Sequence, residues 1–482
     1  MRMLRRARKA HGDAGEVVSV VRASARLRVC MSARSLEIRG DTMTSGAGRL
    51  IPSPDAAAAR RAARAFFRER NVLGAFEALH QTLGDVFQLP LPGFSGVVLV
   101  GPEANRFLLT DAREQFLWRA EADPVTRLLR EGVLVTDGAL HDALRQVMAP
   151  ALHRGLFERF VVGMWRNADR VTSCWGDGAR IHPLDEMRRI ALCILTDALF
   201  GDDFSRQVKP LWRAILRTIR YISPGPWLIL PEIPRPGYRR ALRRMDAYLY
   251  QLIGQRRAAP GASSEDGPDL LSVLIASGMD DELIKDQLLT MFIAGHDTST
   301  ALLAWALHLL SRHDEAMSRA RAEIETTLGR EPPQMADVRR LSYLDRVIRE
   351  TLRLYPPIHL GSRIAVDDVA FRDYLIPAGT RVLYSIYLTH RDERYWPNPD
   401  AFDPNRFAPE NAGQRPAYTF LPFGAGPRNC IGAAFAQVEA KVVLARLLQR
   451  FAFRPVGGAA RPRMRATLEP HAGALVEVRR LG

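Results

Sequence analysis

One cysteine in a glycine-rich loop constrains this chain more than any other feature of its sequence. The loop reads Phe-Gly-Ala-Gly-Pro-Arg-Asn-Cys-Ile-Gly from Phe423 to Gly432, and a helical pattern follows it directly to Arg450. A cysteine at the N-terminal end of a helix lies near the positive end of the helix dipole, which favours the thiolate form. Cys430 is therefore predicted to be a metal ligand or a reactive thiol, with an inert cysteine in a turn as the alternative.

The other cysteines give no sign of cross-linking. Cys30, Cys174 and Cys193 lie far apart, and the chain has no Cys-x-x-Cys pair. This spacing argues against a disulfide framework and against a structural zinc site. Unpaired cysteines fit a reducing compartment, so the sequence favours a cytoplasmic protein.

Positive charge is concentrated at the start of the chain. The 482 residues carry a net charge of +15, and residues 1–42 hold ten Arg or Lys residues against four acids. No basic run interleaved with aromatic residues follows, so nucleic-acid binding is not predicted. We interpret residues 1–42 as an arginine-rich tail or as an upstream extension of the true start, and residues 43–482 as one catalytic domain.

The hydrophobic pattern predicts a mainly α fold with small β-sheets in a single domain. Short strands are predicted at 86–91, 96–101 and 380–385. Helical periodicity dominates from 102 to about 354, and it returns from about 431 to 450. A proline-rich stretch at 224–236 separates two of the helices.

Two apolar segments raise the question of membrane contact. Residues 288–310 approach the length of a spanning helix, but Asp297 near the middle would cost about 2.5 to 3.5 kcal/mol in a bilayer. We therefore predict a buried core helix with a functional polar break, and no transmembrane anchor. The stretch 224–236 is too short to span a bilayer, but its apolar residues near Trp227 predict a peripheral membrane contact.

The segment Ala294-Gly-His-Asp-Thr-Ser299 carries the polar residues of this apolar helix. The Thr298 hydroxyl can donate back to the Ala294 carbonyl, and Gly295 can relax the helix so that a groove opens at this turn. Asp297 and Thr298 are then a candidate catalytic pair that relays protons. A chance Asp-Thr pair on a core helix is the alternative.

With the cysteine loop in its complete pattern, the chain resembles the cytochrome P450 family, whose motifs occur here in the expected order. Ala294 to Ser299 resembles the family's oxygen-binding segment. Glu350-Thr-Leu-Arg353 resembles a buried ion pair of the family, which Arg406 would join. Alone, Glu350 and Arg353 would be read as a surface ion pair of small value. The resemblance instead implies a structural role, in which these three residues lock the cysteine loop.

The resemblance implies a haem b cofactor, iron protoporphyrin IX, with Cys430 as the axial ligand of the iron. His141 and Arg145, one helical turn apart, resemble the family's clamp on one haem propionate. Arg363 and Arg428 fit the other propionate positions, because guanidinium groups suit carboxylates. Each of these cations alone would be read as a solvated charge. The other haem-binding positions that we predict are Ala294, Gly295, Phe423 and Gly432.

The implied fold is the single-domain cytochrome P450 fold, and the implied reaction inserts one oxygen atom from dioxygen into an apolar small organic substrate. Electrons would come ultimately from NAD(P)H through a separate ferredoxin or flavodoxin-type donor, since no space for a fused reductase follows Cys430. Arg428 stands where many soluble bacterial members carry histidine, so the loop looks more like the branch with fatty-acid hydroxylases and microsomal enzymes.

Two alternatives remain open at this point. A peroxide-driven peroxygenase would use the same cofactor, although such members tend to lose the acid-alcohol pair that Asp297 and Thr298 preserve. A non-enzymatic haem-thiolate sensor would need an appended output domain, and the sequence shows none.

Overall fold

The computed structural model describes residues 49–69, 71–91, 94–152, 157–224, 233–259, 268–329, 331–471 and 473–481. The arginine-rich segment 1–42 and the predicted membrane contact near Trp227 lie outside the described residues. Both therefore stay predictions.

Helices make up most of the described structure. They are α1 (Ala56–Glu69), α2 (Val72–Leu83), α3 (Pro102–Arg106), α4 (Pro124–Leu129), α5 (Gly138–Met148), α6 (Phe157–Thr172), α7 (Pro183–Phe200), α8 (Val208–Ile222), α9 (Tyr238–Ala258), α10 (Leu270–Ala276), α11 (Asp281–Leu310), α12 (Asp314–Thr327), α13 (Met335–Arg340), α14 (Ser342–Leu354), α15 (Ile386–Thr389) and α16 (Ala433–Arg450).

The strands are short and form small sheets. They are β1 (Val86–Leu91), β2 (Phe94–Leu99), β3 (Phe116–Leu117), β4 (Ala179–Ile181), β5 (Leu360–Ala365), β6 (Val369–Phe371), β7 (Tyr374–Ile376), β8 (Arg381–Ser385), β9 (Phe451–Val456), β10 (Pro462–Met464), β11 (Leu468–Pro470) and β12 (Leu475–Arg480). The largest sheet has the order β1-β2-β8-β5-β3, with β2 and β8 parallel and the other pairs antiparallel. The remaining sheets are β4-β12-β9, β6-β7 and β10-β11. The predicted mainly α fold with small sheets is confirmed.

Helix α11 is the centre of the largest hydrophobic core. Asp280 caps its start by accepting a hydrogen bond from the Leu283 amide (2.8 Å), and Asp281 and Glu282 lie in the first turn, where negative charge suits the helix dipole. Most of its remaining residues are buried, because α7, α14 and α16 pack around it. A helix surrounded in this way must be apolar on nearly all sides. This explains the apolar run 288–310 without a membrane.

Where α11 meets α7, a glycine allows the close contact. A Cβ atom on Gly295 would collide with the Leu195 side chain. The helix itself is continuous from residue 281 to residue 310, so the opening that we predicted at this turn is not seen. Gly295 therefore allows α7 and α11 to approach each other closely, and it does not interrupt α11. In the described part of the chain, no helix combines the length and apolarity needed to cross a bilayer.

Candidate active site

Two glycines in the left-handed region shape the cysteine loop. Gly424 and Gly426 have φ of +70° and +66°, and the Cys430 amide donates to the Phe423 carbonyl at 2.8 Å. A Cβ atom on Gly426 would also collide with the Leu109 carbonyl oxygen. Only glycine satisfies both the backbone angle and this close approach. The loop ends at Gly432, and α16 starts one residue later, slightly beyond the predicted position.

The Cys430 side chain is accessible to solvent, yet it lies in a recess where burial dominates its acidity. Burial raises the pKa of the Cys430 thiol, while a hydrogen bond from the Gly432 amide and the charge of Arg145 lower it. Our expectation that the helix position favours the thiolate is thus wrong for the protein alone, because desolvation outweighs these donors. A bound metal ion deprotonates a coordinating thiol by itself, so the thiolate would form on metal binding.

His141 and Arg145 both lie on α5, and the second reaches the cysteine loop. Arg145 donates to the Asn429 carbonyl (2.8 Å) and to the Asn429 side-chain oxygen (3.0 Å). His141 is buried, and its Nδ1 lies 2.8 Å from an Asp142 carboxylate oxygen. Burial and the charge of Arg428 hold the pKa of His141 below its ordinary value, despite Asp142.

The two remaining predicted cations differ in their partners. Arg428 forms an ion pair with Asp137 and donates a hydrogen bond to the Thr136 carbonyl (2.5 Å). The sequence did not indicate either contact. Arg363 is buried and donates to the Ser362 carbonyl (2.7 Å), and no carboxylate of the described residues lies within 4.0 Å of it. Burial lowers the pKa of Arg428, and the charge of nearby Arg363 lowers it further.

These residues fit a haem with two propionate groups. Among the described residues, no carboxylate lies within 4.0 Å of the guanidinium group of Arg145 or of Arg363. A guanidinium group binds a carboxylate well, so each could hold a propionate. A Cβ atom on Gly432 would meet no protein atom within 4 Å, so no described neighbour requires glycine there. A flat cofactor packed against Cys430 would explain that glycine. The residues around the thiol are thus chemically suited to hold a haem.

The predicted oxygen-binding segment combines two polar side chains with different partners. The Thr298 hydroxyl donates to the Ala294 carbonyl at 2.7 Å, as the sequence suggested. The Asp297 side chain is buried, and its oxygens contact Arg188 Nη2 (2.8 Å) and Thr467 Oγ1 (3.1 Å). Asp297 therefore forms an ion pair with Arg188 in the folded protein.

Arg188 also lies 3.7 Å from Glu469, which makes Asp297 part of a buried charge cluster. Burial raises the pKa of Glu469 to about 7, with Arg188 opposing this shift. Arg188, Thr467 and Glu469 come from α7 and from the β10–β11 region, which are distant from Asp297 in sequence. No motif marks these three residues, and sequence reasoning missed them.

A second buried acid connects the two helices that flank the recess. Glu439 on α16 accepts a hydrogen bond from the Ser299 hydroxyl of α11 at 2.6 Å. Burial raises the pKa of Glu439 to about 8, and the serine bond opposes that shift. Sequence reasoning also missed this contact.

Glu350 and Arg353 are both fully buried, so the reading as a surface pair does not apply. Arg353 donates to both Glu350 oxygens at 2.8 and 2.7 Å, and Arg406 lies 3.3 Å from Glu350. The other Arg353 donors reach the carbonyls of His390, Pro399 and Ala401. All five N–H donors of this guanidinium are thus used.

His390 extends this network to the cysteine loop. Its Nε2 accepts a hydrogen bond from the Leu421 amide at 3.0 Å, two residues before Phe423. Burial lowers the pKa of His390 to about 3, so the ring stays neutral and can accept this bond. The histidine links the Arg353 network to the loop, and nothing in its sequence context marked it.

Comparisons with known proteins identify the family of this chain. The family model "Cytochrome P450" matches residues 64–475. Putative cytochrome P450 139 of Mycobacterium tuberculosis (strain ATCC 25618 / H37Rv) is 32% identical over 427 residues, which cover 84% of this chain and 97% of that protein. Cyclooctat-9-en-7-ol 5-monooxygenase of Streptomyces melanosporofaciens is 30% identical, with 78% and 84% covered.

Solved structures show the same similarity in three dimensions. The cytochrome P450DA heme domain superposes with a TM-score of 0.78 at 26% identity, covering 90% of this chain and 98% of that one. The retinoic acid bound cyanobacterial CYP120A1 gives 0.79 at 25% identity, with 90% and 100% covered. Fold and site together define a haem-dependent oxidoreductase, a monooxygenase. The chain belongs to the cytochrome P450 family.

Proposed function

We propose that this enzyme inserts one oxygen atom from dioxygen into an apolar small organic substrate, and that Cys430 would hold the iron of haem b. When bound, a haem iron with a cysteine thiolate ligand supplies the oxygen activation that this reaction needs. The observation that carries the proposal is the Cys430 thiol, set in a recess beside Arg145 and held by a loop with two left-handed glycines. We assign His141, Arg145, Arg363 and Arg428 to the propionates.

We assign proton delivery at the oxygen side to Asp297 and Thr298. The Thr298 hydroxyl is held by the Ala294 carbonyl, so its position at this turn is fixed. The Asp297 carboxylate is bound to Arg188, and release of this contact would free the side chain to exchange protons at this turn of the helix. An acid and an alcohol that are both held in place by hydrogen bonds can pass protons one at a time, while the packed site excludes bulk water.

An apolar substrate is supported by large apolar side chains that are exposed instead of packed into the core. The amide of Val133 and the carbonyl of Glu131 are hydrogen-bonded to Gln287 on α11 at 2.7 and 2.9 Å, which holds the segment 131–133 against this helix. Leu134, next in the chain, and Ile358, before β5, are more than a third exposed although both are large and apolar. One relative is named for cyclooctat-9-en-7-ol, and one similar structure is described as bound to retinoic acid; both compounds are small organic molecules.

The electron donor would be a separate ferredoxin or flavodoxin-type protein supplied by NAD(P)H. A cavity of about 220 Å³ lies between α14 and the cysteine loop, with Arg349, Phe423, Gly424 and Gln437 in its lining. Since the Phe423 carbonyl accepts from the Cys430 amide, this cavity lies close to the proposed iron ligand. An acidic donor docked there would have a short path for electrons.

The spectrum of the reduced, carbon-monoxide-bound protein tests the ligand assignment. We expect a red-shifted band of the thiolate type that Cys430→Ala abolishes, while Cys193→Ala keeps it. Retention of the band in Cys430→Ala would refute the assignment. Thr298→Ala should lower the product formed per reducing equivalent consumed, and unchanged coupling, or full activity with peroxide alone, would contradict the dioxygen-dependent proton relay.

A further inference from the structure

Helix α1 shows the reverse of the usual surface-helix pattern. Its core-facing side consists of Ala58, Ala62 and Ala65, which are almost fully buried. Its largest apolar residues instead face solvent, since Phe67 is 74% exposed and Phe66 is 38% exposed. A helix that buries only alanines and exposes phenylalanines leaves apolar area uncovered, which costs free energy in water. Among the described residues, nothing covers this apolar stripe of the helix.

A basic stripe runs beside the apolar one. With about 100° between successive residues of a helix, one part of the outer face collects Ala59, Ala63, Phe66 and Phe67, and the neighbouring part collects Arg60, Arg61, Arg64 and Arg68. Glu69 is the only acid on the helix, and it pairs with Arg68. Among the described residues, Arg60, Arg61 and Arg64 have no carboxylate within 4.0 Å.

We propose that α1 is a docking surface for an anionic phospholipid membrane, on which the helix lies parallel to the bilayer plane. Phe66 and Phe67 enter the boundary between headgroups and acyl chains, and the arginine stripe contacts lipid phosphates. Adjacent apolar and basic stripes on one exposed face are the pattern of helices that lie on membranes without crossing them. A purely acidic protein partner would satisfy the arginines but would leave the phenylalanines exposed.

Further positive charge lies at the same end of the molecule. The Asn71 side chain at the α1–α2 junction donates to the Pro462 carbonyl (3.2 Å), and the Ser223 hydroxyl after α8 accepts from the Ala466 amide (3.0 Å). The β10–β11 hairpin thus contacts both the start of α2 and the end of α8. Exposed cations near these contacts are Arg217 and Arg220 in the last turns of α8 and Arg239 and Arg240 in the first turn of α9, where Tyr238 stacks on Tyr221. Such charge attracts an anionic lipid surface over about one Debye length.

Vesicle sedimentation with the full-length haem-loaded enzyme tests the proposal. The probes are vesicles of phosphatidylcholine alone and vesicles of phosphatidylcholine mixed with phosphatidylglycerol. We expect binding to the anionic vesicles only. Phe66→Ser/Phe67→Ser should weaken this binding at least about tenfold, from the lost apolar burial. Arg60→Gln/Arg64→Gln should also weaken it at least about tenfold, with a smaller salt dependence than that of the parent protein.

Val162→Ser/Arg166→Gln on α6 is the matched control, because it removes one exposed apolar residue and one exposed arginine from another helix. We expect the control to bind like the parent protein, and an unchanged carbon-monoxide spectrum shows that every variant is folded. Phe67→Trp gives a direct readout, since lipids brominated near the headgroup should quench its fluorescence.

Three outcomes would overturn the proposal. The first is that the parent protein does not bind the anionic vesicles. The second is that Phe66→Ser/Phe67→Ser binds them as well as the parent, which would place the contact elsewhere, including residues 1–48. The third is that the parent is a dimer in solution and that the same substitutions dissociate it, which would identify a second copy of the chain as the occupant.

Discussion

Replacing Glu439 with glutamine should remove a large part of the pH dependence of stability. Glu439 is buried, and it accepts a hydrogen bond from Ser299 at 2.6 Å. Burial raises its pKa from 4.5 to about 8. The folded protein therefore holds the neutral acid, while the unfolded chain releases the proton from about pH 4.5 upward.

The sign and size of the pH dependence of stability follow from this difference between the folded and unfolded pKa of Glu439. A raised folded-state pKa contributes stability that is fully present below about pH 4.5 and is lost as the pH rises to about 8. Because a tenfold change in proton affinity corresponds to about 1.4 kcal/mol, the loss has an upper limit of about 5 kcal/mol. Glutamine keeps a polar group for Ser299 and carries no charge to bury. Glu439→Gln should thus match the parent protein near pH 5 and exceed its stability by several kcal/mol near pH 8.

Urea unfolding followed by tryptophan fluorescence, repeated from pH 5 to pH 9 for both proteins, measures this effect. The difference between the two curves cancels the contributions of other buried groups, including Glu469. Ser299→Ala serves as a second variant, since loss of its donor should raise the pKa of Glu439 further and steepen the dependence. A stability difference that stays constant with pH would show that Glu439 does not carry the buried proton, and would refute the reasoning.

Three further predictions concern the cysteine loop and its support. Arg353→Leu removes the bidentate partner of buried Glu350 and leaves Arg406 beside it, so we expect a loss of about 3 kcal/mol and little haem per protein after purification; normal haem content would contradict this. His390→Leu leaves the Leu421 amide without an acceptor, which should lower the free energy of unfolding by about 1 to 3 kcal/mol, and unchanged urea midpoints would oppose it. Gly426→Ala should lower haem retention during gel filtration, because φ is +66° there; full retention would disprove the constraint.

The sequence determined the features that depend on local chemistry and periodicity. The glycines of the cysteine loop occupy left-handed backbone positions that other residues rarely adopt, so their spacing in the sequence already predicts the turn. The apolar run 288–310 and the central Asp297 predicted a buried helix, because a charge is costly in lipid and tolerable in a core where it has partners. The strand at 86–91 and the helix ending at 450 were predicted for the same local reasons.

The partners of each buried charge were decided only by the tertiary structure. Asp297 pairs with Arg188, Glu439 accepts from Ser299, and Arg428 pairs with Asp137, all across long stretches of sequence. A one-dimensional pattern contains no distances between such residues, so it showed neither these contacts nor their pKa shifts. The same limit made the expected acidity of the Cys430 thiol wrong, because desolvation is a property of the surrounding volume. The sequence identifies the groups that carry chemistry, and the packed fold sets their charge states and partners.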